Sequence, residues 1–130
     1  MRPLLNTTAL TACYGNFQAL FGIDFSIGEG EAVAIIGANG AGKSTFLKTV
    51  TGLVPPASGQ IDFEGNSIAG LRASDIVKRG IAMVPEGRRL FPSLSVEENL
   101  IIGGQSGRSG PWTLDRVSRL FPALLPLRAL

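Results

Sequence analysis

The sequence predicts an α/β fold, and three observations carry that prediction. Near the amino terminus, apolar and polar residues alternate as half-buried antiparallel strands do. A continuous apolar run at 31–37 then leads through a glycine-rich turn into a helical pattern. A second apolar run at 81–85 again precedes a helical pattern, so strand–loop–helix units follow the antiparallel strands.

The elements are expected in the following order. "TTALTACYG" and "IDFSI" read as antiparallel strands, with Ile23, Phe25 and Ile27 on one face, and "GEG" at 28–30 as a turn. "EAVAIIG" (31–37) has the pattern of a central strand covered on both faces. A helix starts near Gly42, runs through Phe46, Leu47 and Val50, and stops at Gly52. "VPPASG" is a rigid loop and "QIDFEG" a returning strand. Ser74 is expected to cap a short helix that Gly80 ends, and "IAMVP" to form another buried strand stopped by Pro85. Ser95 followed by Glu98 forms a capping box for a helix carrying Val96, Leu100 and Ile101. "GGQSGRSGP" (103–111) is a flexible joint, after which Leu114, Val117, Leu120 and Phe121 recur at helical spacing until Pro122. No internal repeat is present.

Bulk properties narrow the function. The chain has 130 residues, one domain's worth, with 45% hydrophobic and 17% charged residues, which suits a folded domain rather than disorder. The net charge of +2 is spread without a basic half: up to Pro85, six basic residues face six acidic ones. Nucleic acid is therefore not an expected partner. One cysteine, Cys13, and no histidine exclude an internal disulfide and a Cys/His metal cluster, and fit a reducing compartment. The amino terminus lacks the apolar core of a signal peptide, and no apolar run reaches the length of a membrane helix, so a soluble cytosolic chain is expected.

The chemistry lies in "IIGANGAGKST". Gly37, Gly40, Gly42, Lys43 and Ser44 satisfy G-x-x-x-x-G-K-[ST] between an expected strand and an expected helix. Glycines let backbone amides turn inward as a nest of donors for phosphate oxygens, and the helix start adds its positive end. Lys43 suits the β- and γ-phosphates, and the Ser44 hydroxyl suits Mg²⁺, a hard cation that prefers oxygen. The whole loop, Gly37, Ala38, Asn39, Gly40, Ala41, Gly42, Lys43, Ser44 and Thr45, is the candidate triphosphate site. A turn that served packing alone would not need the Lys-Ser pair. A GTPase is disfavoured, because "DFEG" (62–65) follows the loop too closely and N-K-x-D is nowhere. A nucleotide kinase is disfavoured equally.

The stretch from "ACYGNF" to "IDFEG", continued by "GIAMVPEGRRLFPSLSVEENL", resembles the ATP-binding subunits of ABC transporters over residues 4 to about 102. The second stretch is similar to the branched-chain amino-acid importer type, more to the shorter of its two ATP-binding subunits. The resemblance implies a phosphate-loop NTPase fold: an antiparallel β subdomain, part of a parallel α/β core and the start of a helical arm. It implies ATP and Mg²⁺ as cofactors, with Tyr14 stacking on adenine; a strand-end tyrosine packed on the core is the other reading. Glu86 stands where most members have glutamine, a position that touches Mg²⁺ and the attacking water, so it joins Ser44 as a candidate metal ligand. In "GRRLFPSLS", Arg88, Arg89, Leu90 and Phe91 occupy a loop that receives a short helix from the membrane subunit; a merely solvated Arg-Arg pair is the alternative.

The same resemblance implies features that the sequence lacks. Family members work as dimers that close ATP against an L-S-G-G-Q signature, and use a metal aspartate, a glutamate base and a histidine. "IIGGQ" (101–105) lacks the serine, Asp62 and Asp115 follow too few apolar residues, and histidine is absent. The expectation is a partial ATP-binding domain over 1–130, truncated before the signature and the metal aspartate, with no catalytic residue of its own. The parent function is coupling ATP hydrolysis to uptake of branched-chain amino acids or related compounds. Its partners are membrane permease subunits and a second ATP-binding subunit, in a homo- or heterodimer, peripheral on the cytoplasmic face of the cell membrane. The competing expectation is a chain that only binds nucleotide, or a non-functional remnant without ATPase activity.

Overall fold

The structure is a computed structural model that describes residues 3–38, 42–87, 90–104 and 110–127. These residues divide into two compact units, Met1–Ile76 and Val77–Leu130. The first contains a four-stranded antiparallel sheet in the order β2-β1-β3-β4, formed by β1 (Leu5–Tyr14), β2 (Phe17–Ile27), β3 (Ser58–Phe63) and β4 (Asn66–Ser67). Two-residue turns make both hairpins: Tyr14 pairs with Phe17, and Phe63 with Asn66. Along β2, Ile23, Phe25 and Ile27 are half-buried while their neighbours Gly22, Asp24 and Ser26 are exposed, as the alternation predicts.

Helix α1 (Lys43–Val50) runs over the expected span and buries Thr45, Phe46, Thr49 and Val50. Phe46 meets Phe25 edge to face, with ring centroids 5.2 Å apart, which attaches the helix to β2. Leu10, Leu20, Val50, Ile61, Ile68 and Ile76 are among the residues of the buried apolar interior. Helix α2 (Ala73–Arg79) starts before Ser74, so that residue lies inside the helix instead of capping it. The Arg72 carbonyl accepts the Asp75 and Ile76 amides at its start, and the Gly80 amide closes its end on Val77.

The second unit contains α3 (Val96–Gly103), α4 (Leu114–Leu120) and a 3₁₀ turn over Pro122–Leu127. The capping box is present: the Ser95 hydroxyl accepts the Glu98 amide at 3.1 Å, and the Glu98 carboxylate accepts the Ser95 amide at 3.0 Å. The flexible joint expected at 103–111 falls mostly on 105–109, outside the described residues.

Two expected elements are corrected. Neither 31–37 nor 81–85 forms a strand, and both are largely exposed, Ile36 at 92% and Val84 at 94%. A central strand is held by neighbours at both edges and by layers on both faces, and these segments have no ladder partner among the described residues. Ile35 and Ile36 instead line, with Leu20, Phe25 and Phe46, an apolar cavity of about 170 Å³.

Candidate functional site

The first unit brings most of the phosphate-loop candidates together. Gly42 is the N-cap of α1 with φ 94°. A β-carbon there would lie 2.9 Å from the Ala19 carbonyl oxygen and 3.1 Å from a Leu20 methyl, so both the dihedral and the close approach to β2 require glycine. No side chain caps the helix and its first turn carries no acid, which leaves its positive end without a local counter-charge. The Lys43 ammonium folds back over the turn, donating to the Gly37 carbonyl and, at 3.2 Å, to the Ala38 carbonyl. Ser44 is exposed beside it, and Thr45 is buried. Asn39, Gly40 and Ala41 lie outside the described residues.

Tyr14 ends β1 and reaches the same turn. Its hydroxyl lies 3.2 Å from the Thr45 hydroxyl, while the side chain keeps 46% exposure. Sequence reading placed both residues at the site, but nothing in the sequence signals the bond between them, because it joins positions 31 apart. The arrangement offers a cation, the start of a helix and an exposed aromatic face anchored to that helix. An anionic ligand carrying a flat ring is the chemistry such a set accommodates.

Glu86 belongs to the second unit, where it is exposed in the bend after 81–85. Arg88 and Arg89 lie outside the described residues, while Leu90 and Phe91 are exposed as expected. Sequence reading missed Asn99, which holds this loop. Its side-chain oxygen accepts the Phe91 amide at 2.9 Å, and its nitrogen donates to the carbonyls of Ser95 at 2.8 Å and Phe91 at 3.2 Å. The signal was available: an asparagine four residues after an N-cap faces back toward the loop before the helix.

Comparison with known proteins supplies a frame for these features. A family model described as ABC transporter matches residues 20–125. The high-affinity branched-chain amino acid transport ATP-binding protein BraG of Pseudomonas aeruginosa is 45% identical over 123 residues, covering 93% of this chain and 53% of that protein. The ribose import ATP-binding protein RbsA of Yersinia pestis is 38% identical over 108 residues, covering 83% of this chain and 21% of that protein. The crystal structure of a nucleotide-free ATP-binding cassette from an ABC transporter superposes with a TM-score of 0.75 at 26% identity, covering 98% of this chain and 57% of that one. The chain thus spans about half the length, or less, of the relatives it matches.

Proposed function

This chain belongs to the ABC transporter family, and from that premise we propose that it is the nucleotide-gripping part of an importer's ATP-binding subunit. The fold agrees: it is the N-terminal part of an ABC ATPase domain, whose neighbours in structure are ATP-binding cassettes. The observation that carries the reading is the Lys43 ammonium folded onto the loop at the start of α1, a helix end without a capping side chain. That is a positive, donor-rich turn suited to a triphosphate. Residues 37–45 grip the phosphates, Lys43 exchanging its carbonyl partners for β- and γ-oxygens, and the Tyr14 face receives adenine. Ser44 would hold Mg²⁺ through its hydroxyl, and the ion, when bound, would neutralise charge on the phosphates.

The transported class we assign is branched-chain amino acids or related compounds. Its support is the name of the Pseudomonas relative, which matches more of this chain at higher identity than the ribose-import relative does. The working assembly pairs two ATP-binding subunits against membrane permease subunits on the cytoplasmic face. Among the described residues no helix is long and apolar enough to cross a membrane, so any such attachment is peripheral through these elements. Residues 1–130 carry neither a signature nor an aspartate–glutamate pair, so these residues on their own are proposed to bind ATP without turning it over. Hydrolysis needs a base and a closed site, each worth ~10²–10⁴ in rate.

Isothermal titration tests the reading. Mg-ATP is expected to bind more tightly than AMP, and Lys43→Ala to weaken ATP by ~10–100-fold, the worth of a charge-assisted hydrogen bond. Phosphate release from the purified chain should stay at background. Equal affinity of wild type and Lys43→Ala for ATP would remove the site assignment.

A further inference from the structure

The hydrogen bond between Tyr14 and Thr45 has a geometry that does more than fill space. It links the tip of the β1–β2 hairpin to the first turn of α1. The two partners differ sharply in exposure: Thr45 is 8% exposed, Tyr14 46%. An exposed aromatic at a hairpin tip is thus fastened at the far end of its ring to a hydroxyl on the first turn of the helix. Thr45 is itself fixed, since its carbonyl accepts the buried Thr49 hydroxyl at 2.7 Å and a β-branched side chain in a helix has few χ1 choices.

An exposed aromatic ring that stacks on a ligand must first be ordered, and ordering a side chain weakens binding. A bond at the ring's tip does that ordering before the ligand arrives. We propose that Thr45, through its hydroxyl, is a positioning residue for base recognition: it holds the Tyr14 ring beside the phosphate loop, so that the site prefers a nucleoside triphosphate over a bare polyphosphate. This rests on the nucleotide reading above and adds the tie that couples base to phosphate recognition.

The measurement is the ratio of Mg-ATP affinity to Mg-tripolyphosphate affinity, taken by titration for each variant. Tyr14→Phe keeps the aromatic face and removes only the hydroxyl. It is expected to lower the ratio ~2–10-fold, the worth of one neutral hydrogen bond. Thr45→Val is expected to lower it similarly and Thr45→Ser, which restores a hydroxyl, to hold it near the wild-type value. The double variant Tyr14→Phe/Thr45→Val should fall no further than either single change, because both remove the same bond. Taking the ratio cancels any direct effect of Thr45 on phosphate affinity. A wild-type ratio in Tyr14→Phe, or additive losses in the double variant, overturns the proposal. Failure of the underlying site looks different: wild type and Lys43→Ala would then bind both ligands equally, and the positioning role would fall with it.

Discussion

Ala9 occupies a backbone conformation that alanine rarely takes, with φ 48°. It sits in β1 where the register with β2 slips between Thr7 and Leu10. Neighbouring strands hold the irregularity from both sides. The Asp24 carboxylate on β2 accepts the Ala9 amide at 2.7 Å, and Gly59 on β3 lies so close that an added β-carbon would meet the Ala9 carbonyl oxygen at 2.4 Å. Gly59 also has φ 92°, so Gly59→Ala combines a clash with left-handed strain. We expect that variant to lose at least ~1–3 kcal/mol of stability, read as a lower denaturant midpoint. Ala9→Gly should be far milder, because relief of strain in the folded chain offsets the greater freedom of the unfolded one. A midpoint unchanged in Gly59→Ala would show that the bulge can move aside. The alternation in "TTALTACYG" announced a strand but not this slip, which depends on one dihedral and on residues from two other strands.

Among the elements, α3 begins with a reciprocal pair whose strength depends on charge. The Ser95 amide and hydroxyl, in that order, hold the Glu98 carboxyl below its usual range. A carboxyl depressed on folding contributes stability above its unfolded value, ordinarily 4.5, and loses that contribution as pH falls through its lower folded value. The start of α3 should therefore fray as the solution is acidified below that ordinary value. NMR titration of the Ser95 and Glu98 amides would follow the change, and Glu98→Gln should flatten the response while preserving the cap. An amide profile independent of pH in the parent chain would show that the carboxylate bond does not form in solution. This box was legible because it is written within four residues; the α1 boundaries and the Gly80 stop were legible for the same reason. The segments 31–37 and 81–85 were not. Their apolar residues specify burial, but burial in a central strand requires partners that no local pattern supplies. The site divides similarly: the loop and Tyr14 were read from motif and resemblance, whereas the bond joining Tyr14 to Thr45 is a product of the folded hairpin.

At the scale of the molecule, the buried hydrophobic residues among those described all lie in the first unit. Leu90, Phe91, Trp112, Leu120 and Phe121 in the second remain exposed, as do Ile36 and Val84. So much uncovered apolar surface favours association. Light scattering of the purified chain is expected to report species larger than a monomer, growing with concentration and with kosmotropic salt; a stable monomer across that range would contradict this. The sheet of the first unit has a different consequence. Leu5 pairs with Phe63 and Thr11 with Ser58, so the β1–β3 ladder joins the two ends of a long segment containing β2, the phosphate loop and α1. The loop therefore sits on a closed circuit of backbone. A protease that cuts between Gly37 and Gly42 would nick this circuit without opening it, and the two pieces would stay clasped through the strands on either side. The same wiring makes the loop a natural place to divide the chain for fragment complementation, with each piece carrying one strand of the ladder that reunites them.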